Sequence, residues 1–314
     1  MNRHLLVATD DSSNARKALA YAADLYRDVP DVDVTVITIV PPLPAFLAEG
    51  AASGAAEKQR LLKLSEYEAL QERQATHILD TARRVLEKGG IPADRIHARR
   101  VAKSRGTVPD LLAEARKGRY DTLVVGRRSL GRVASYVMGS VTYGLVQQLH
   151  DLPLWLVDTP ARSRRVLLAL DNCEPCLKVV DHAAHMLAGI PGLELTILHV
   201  IPRFQPFFSK ADTVALDALD SLSIRRAEAT LRPLLERASG ILREAGVDPG
   251  AVSIKVKRGG TSAYKEILTE FRGGGFGTLV VGRRGVGGWE ALFPGSVSDR
   301  LLHGLRNGAL WVVA

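Results

Sequence analysis

Two stretches of this chain place glycines, arginines and hydroxyl residues at one spacing, a set of residue types suited to holding phosphate. The first, Leu123 to Thr142, carries Gly126-Arg127-Arg128-Ser129 ahead of Gly139-Ser140-Val141-Thr142. The second, Leu279 to Ser298, carries Gly282-Arg283-Arg284-Gly285 ahead of Gly295-Ser296-Val297-Ser298. Glycine lets backbone approach an anion with no Cβ in the way. A hydroxyl and the first amides of a helix then point donors at it. In the second copy Val281, Gly282, Arg284, Gly285, Gly295, Ser296, Val297 and Ser298 are the candidate contacts. In the first copy they are Gly126, Ser129, Gly139, Ser140, Val141 and Thr142. Ser129 stands where the second copy has glycine, and its Cβ disfavours positive φ and crowds a ligand. The first copy is therefore expected to be the weaker site. The paired arginines have two readings, meeting a polyphosphate or lying solvated, and arginine serves both purposes.

Other chemistries have less support. Cys173-Glu-Pro-Cys176 has the spacing of a redox pair, but it stands where the first copy has Ser12 and Ala15. Structural cysteines account for it at least as well. A metal site joining Cys176 to His182 and His185 fits poorly, because six helical residues turn about 240° further round the axis. Ala8-Thr-Asp-Asp-Ser-Ser lacks the glycines of a pyrophosphatase loop. No G-x4-G-K-[ST] phosphate loop occurs, so motor or kinase chemistry has no support. No serine triad stands out, and His150, His199 and His303 read as ordinary helix or strand residues.

The elements around the motifs also come in two sets. Leu5–Asp10 and Val166–Asp171 are short apolar runs ending in an acid, each followed by a helix, Asn14–Tyr26 or Cys176–Ala188, with Asp11-Ser12-Ser13 as a cap. Val34–Val40 and Leu193–Val200 read as second strands halted by proline. Long helices over Lys58–Lys88 and Thr213–Glu244 follow, the second expected to bend or split at Pro233. Alternating third strands, His97–Val101 and Ser253–Val256, suit a sheet edge. Fourth strands, Thr122–Val125 and Thr278–Val281, run into the glycine motifs. Each set closes on Leu154–Val157 or Leu310–Val313. Strands alternating with helices, most of them apolar on both faces, predict an α/β fold: two repeated domains, each a doubly wound five-stranded parallel sheet. The polar linker Asp158–Arg164 places the domains at 1–159 and 160–314. Ligands of such sheets sit beyond the carboxyl ends of the strands, which is where Asp10, Asp171 and both motifs fall.

With 314 residues the chain is long enough for two cores. Its composition, 46% hydrophobic and 24% charged, is that of a globular protein, and no apolar run reaches a membrane span. Without a signal-peptide core at the start, the cytoplasm is the expected location. A formal charge of +8 favours anionic partners, yet basic and acidic residues alternate along the helices and no basic tail marks a nucleic-acid binder.

The pattern G-x2-G-x9-G-[ST], with the strand ending in Asp, the Val-Val-Gly-Arg-Arg run and the closing Leu-Trp-[LV]-Val strand, resembles the universal stress protein family over the whole chain. The resemblance implies two such domains in tandem, Rossmann-like and akin to the adenine nucleotide alpha hydrolases. It implies ATP as ligand, with or without Mg2+, and a regulator of stress responses rather than an enzyme beyond a slow ATPase. Adenosine would lie against Ala169, Leu170, Asp171 and Val200, or against Asp10 and Val40 in the weaker first domain. The last strands are short and apolar, an open edge that invites pairing. Single-domain relatives commonly dimerise there, so Trp155 and Trp311 are expected at an internal pseudo-two-fold contact, with a further homodimer of whole chains left open. The rival reading is a nucleotide-free scaffold for a partner protein or apolar ligand, which the apolar loops Pro41–Leu47 and Pro202–Phe208 favour.

Overall fold

Short β-branched and leucine-rich runs bounded by Pro, Gly and Asp give the chain ten strands, and amphipathic stretches between them give nine helices, among the described residues. The computed structural model describes residues 2–48, 54–127, 139–160, 163–202, 213–260, 262–283 and 296–314. The first half runs β1 (Arg3–Ala8), α1 (Ser13–Tyr26), β2 (Val32–Val40), α2 (Ala45–Ala48), α3 (Ala55–Lys88), β3 (Ile96–Ala102), α4 (Thr107–Lys117), β4 (Thr122–Gly126), α5 (Ser140–Gln148) and β5 (Leu154–Val157). The second repeats it with β6 (Arg165–Ala169), α6 (Cys176–Leu187), β7 (Glu194–Pro202), α7 (Thr213–Glu244), β8 (Val252–Gly260), α8 (Ala263–Gly273), β9 (Thr278–Gly282), α9 (Val297–Gly304) and β10 (Ala309–Val313). Only the first half shows a short helix, α2, between its second strand and its long helix among the described residues. The α7 helix passes through Pro233 as one element rather than splitting there.

All ten strands share one sheet, in the order β3-β2-β1-β4-β5-β10-β9-β6-β7-β8. Each half is parallel throughout, and the halves join through an antiparallel β5–β10 pair in the register Ala309↔Val157 to Val312↔Leu154. The alternating strands β3 and β8 take the outer edges. On β3 the residues from His97 to Arg100 are exposed, and such charged edges discourage strand addition.

Helices cover both faces. On one face α1, α3, α6 and α7 close a core that includes Leu5, Val124, Leu168, Val280 and both tryptophans. On the other α4, α5, α8 and α9 close a second core around Leu6, Leu123, Leu167 and Leu310. Each core runs unbroken across the β5–β10 joint, so the halves share their apolar interior instead of touching at a rim. Doubly wound order puts a strand-order switch between β1 and β4, and another between β6 and β9. The motif-bearing ends of β4 and β9 lie at those switches.

Candidate functional site

In the first half the strand ends enclose a cavity of about 280 Å³. Its walls are Ala8, Thr9 and Asp10 after β1, Ser12, Asn14 and Ala15 at the start of α1, and Ile37 and Ile39 on β2. Thr107 and Leu111 of α4, Val125 and Gly126 of β4, and Gly139 to Thr142 complete it. One side is aliphatic. The other gathers the hydroxyls of Ser12, Thr107, Ser140 and Thr142 beside the α5 N-terminus. That division suits a flat, weakly polar ring joined to an anionic tail.

Local sequence explains each wall. Ser12 caps α1 by accepting the Ala15 amide at 3.2 Å. The Asp10 carboxylate accepts the Ser12 amide at 3.0 Å, and Asp11 takes φ 60° with its carboxylate held by Arg16 at 2.9 Å. The hydrogen bond from Arg16 keeps the Asp11 carboxyl below its usual range. Asp110 fixes the loop ahead of Thr107: its carboxylate accepts the Ser104 amide at 2.7 Å, the Ser104 hydroxyl at 2.9 Å, and the amides of Arg105 and Gly106. Those bonds, the Ser104 amide first, hold Asp110 at about 2. Its charge is thus permanent near neutrality, and the loop that presents Thr107 stays closed.

Gly126 has a structural reason to be glycine. A Cβ there would lie 2.1 Å from the Asn14 carbonyl oxygen and 2.7 Å from the Ala15 amide nitrogen, so the bare backbone lets α1 seat against the end of β4.

Of the expected first-half residues, Asp10, Gly126, Gly139, Ser140, Val141 and Thr142 line the cavity, while Ser129 lies outside the described residues. Val40 is not in the wall. Side chains alternate along a strand, and the cavity receives Ile37 and Ile39, so Val40 falls on the other face. Pairing shows the offset: Ala8 faces Ile37 and Ala169 faces Leu198, which makes Ile39 the counterpart of Val200. Thr107, Leu111 and Ser12 were missed; the Arg105-Gly-Thr107 loop was the one sequence signal for the first two.

In the second half Ala169 ends β6, Leu170 and Val200 are buried, and Asp171 accepts the Asn172 amide at 2.9 Å. Val281 and Gly282 end β9. Ser298 donates its hydroxyl to the Gly282 carbonyl at 2.8 Å, tying the helix start to the strand end. Ser296 caps α9 by accepting the Asp299 amide at 3.2 Å, and Val297 opens that helix. Arg284, Gly285 and Gly295 lie outside the described residues. Leu170, Cys173 and Pro175 stand where the first half has Thr9, Ser12 and Asn14, so this strand end is less polar. His199, buried on β7, bonds through Nδ1 to the Leu170 carbonyl at 2.8 Å, a strand residue with a structural partner.

The first arginine of each motif is buried rather than solvated; Arg127 is absent from the first-half cavity wall, while Arg283 lines a separate cavity with Gly282, Pro175 and Val313. Arg127 is buried, crosses the β5–β10 joint and donates to the carbonyls of Leu302, at 2.8 Å, and Leu305, at the end of α9. Arg283 mirrors it, donating to Val146 at 2.7 Å and Leu149 at 2.5 Å at the end of α5. Each guanidinium satisfies carbonyls that a helix end leaves without intrahelical donors.

No helix among the described residues is long and apolar enough to cross a membrane. A sequence model of the universal stress protein family matches residues 1–157 and again 162–307. A universal stress protein from Archaeoglobus fulgidus DSM 4304 superposes with a TM-score of 0.66 at 18% identity, covering 99% of this chain and 97% of that one. A second solved structure, a putative universal stress protein from Pseudomonas aeruginosa UCBPP-PA14, gives 0.58 at 15% identity over 99% and 93%. No curated protein matched the chain. The two family matches and the repeated doubly wound sheet lead to one conclusion: the chain belongs to the universal stress protein family and carries two of its domains in tandem.

Proposed function

We propose that this protein binds ATP at the carboxyl ends of its strands and serves as a nucleotide-responsive regulator in stress physiology. The observation that carries this reading is the first-half cavity, where motif residues Gly126, Gly139, Ser140 and Thr142 face an aliphatic wall of Ile37, Ile39 and Leu111. The residues fit the ligand: aliphatic side chains to sandwich an adenine, hydroxyls for a ribose, and the amides at the start of α5 for phosphate. In the second half Ala169, Leu170, Asp171, Val200, Gly282, Gly285 and Gly295 to Ser298 would take the same parts. That half is proposed as the tighter site, because its motif keeps glycine at 285 where the first half has Ser129. Among the described residues beside the motifs no general base stands out, and we read the nucleotide as a ligand rather than a fuel. The domain limits are proposed at 1–159 and 160–314, and the cytoplasm as the place of action.

The scaffold reading keeps one specific support. Phe46, Leu62 and Leu70 are exposed on α2 and α3, and Phe46 and Leu70 line one shallow pocket. One experiment separates the readings: mass spectrometry of small molecules released from the purified chain. ATP or ADP in the extract supports the nucleotide reading; an extract without nucleotide, from a chain that also fails to take up added ATP, favours the scaffold.

A further inference from the structure

Cys173 lies in the turn after β6 and Cys176 opens α6, and they are the only cysteines of the chain. Their sulfurs lie 2.7 Å apart. A disulfide needs about 2.05 Å, so the two sulfurs have to approach by less than about an ångström. The two thiols differ in access: Cys173 is half-buried, whereas Cys176, at the start of α6, is buried in the core. Burial, with Cys173 beside it, raises the Cys176 thiol, which leaves the more exposed Cys173 to react first. The turn itself is anchored to α7, by Asn172 donating to Thr230 at 2.7 Å and by the Glu174–Arg237 ion pair at 2.5 Å.

The first half shows what the position is for. Ser12 and Ala15, the counterparts of this pair, line the strand-end cavity. By that correspondence the cysteines mark the equivalent position after β6 in the second half, Cys173 partly exposed and Cys176 buried.

We propose that Cys173 and Cys176 are a reversible dithiol–disulfide pair, and that oxidation of this pair lowers ligand affinity at the second-half strand end. Cys173, as thiolate, attacks one sulfur of a small-molecule disulfide and expels one thiolate. Cys176 then loses its proton to solvent, attacks the Cys173 sulfur and expels the other. The chain gives up two electrons and the small disulfide becomes two thiols. The new bond draws the two sulfurs together after Asp171 and so changes the side chains that stand where Ser12 and Ala15 line the first-half cavity. This second part rests on the nucleotide reading above; the first does not.

The test uses the intact chain and oxidised glutathione, with thiols counted by maleimide labelling under denaturing conditions and intact mass. The expected result is loss of both labels without a retained glutathione, reversed by dithiothreitol, while Cys176→Ser keeps a glutathione on Cys173. Two labels surviving in the treated native chain, or a lasting glutathione adduct on it, overturns the pair. ATP titration of the reduced and oxidised chains reads the coupling. Affinity at one site falling about fivefold or more supports it, and unchanged affinity in a chain that is oxidised and binds ATP overturns it. A chain that forms the disulfide but binds ATP in neither state contradicts the nucleotide reading and leaves the redox pair standing.

Discussion

Trp155 and Trp311 stack face to face across the β5–β10 joint, ring centroids 3.7 Å apart and planes within 3° of parallel. Both are fully buried and directly paired in the strand register. Each indole N–H then finds an acceptor in the opposite half: Trp311 donates to the Tyr21 hydroxyl at 2.9 Å, and Trp155 to His182 Nε2 at 3.3 Å. Tyr21 on α1 and His182 on α6 occupy equivalent places, so the pseudo-two-fold axis passes between the rings. The joint is the centre of one ten-stranded sheet, and its two sides are unequal, with a tyrosine acceptor on one and a histidine on the other.

Replacing either tryptophan should weaken the union of the halves more than it weakens either half. Trp155→Ala or Trp311→Ala removes a buried aromatic and leaves a cavity, at a cost of about 3–5 kcal/mol. Denaturant unfolding should show that loss, and small-angle scattering of Trp311→Asp should show a larger envelope. An unchanged midpoint and envelope would refute the role given to the stack.

Arg127 and Arg283 should matter for stability and not for phosphate. Arg127 also lies 3.8 Å from the buried Asp158 carboxylate, so Arg127→Ala strands an acid and two helix-end carbonyls together. Removing one partner of such a buried pair costs about 3–5 kcal/mol. Lysine, with one ammonium in place of a fork, should restore less than half of that. Thermal melts of the two variants check the ranking. Nucleotide titration of folded Arg127→Lys should show the native number of sites, and loss of a site would reassign the residue to the ligand.

His182 sets a pH limit on the joint. Burial, with the nearby His185, pushes its pKa down to about 3. The unfolded chain therefore binds a proton near pH 6.5 that the folded chain refuses until about pH 3. The stability tied to neutral His182 is whole above pH 6.5 and is lost as pH falls toward 3, up to about 2 kcal/mol by pH 5. His182→Gln keeps an acceptor for Trp155 but has no charge to gain. Its midpoint should fall less between pH 7.5 and pH 5 than that of the native chain; an identical fall would move the effect to other groups.

Much of this architecture was legible in the chain. The strands were placed because short apolar or alternating runs stopped at Pro, Gly or polar residues, and the Trp155–Trp311 contact followed from apolar last strands repeated in both halves together with the family resemblance. The edge positions of β3 and β8 followed from their alternating polarity. Other features needed coordinates. An arginine after a glycine motif reads the same whether it meets phosphate or reaches across to Leu302, because the destination depends on the other half. Val40 was chosen as the last residue before Pro41, but the register Ala8↔Ile37 makes Ile39 the lining residue. Thr107 enters the cavity only because Asp110 folds the preceding loop, a tertiary consequence of one carboxylate meeting three amides. Gly126 was read for phosphate approach, and its most direct role proved to be helix packing.

Calorimetric titration of the intact chain with ATP, beside Gly295→Val and Thr107→Trp, tests the nucleotide reading most directly. The native chain should bind ATP at two unequal sites. Gly295→Val, which adds bulk to the Gly-Ser pair of the complete motif, should remove the tighter one, and Thr107→Trp, which fills the first-half cavity, should remove the weaker. No heat of binding from the folded native chain, or a native pattern in both folded variants, would contradict the assignment of nucleotide to the strand ends.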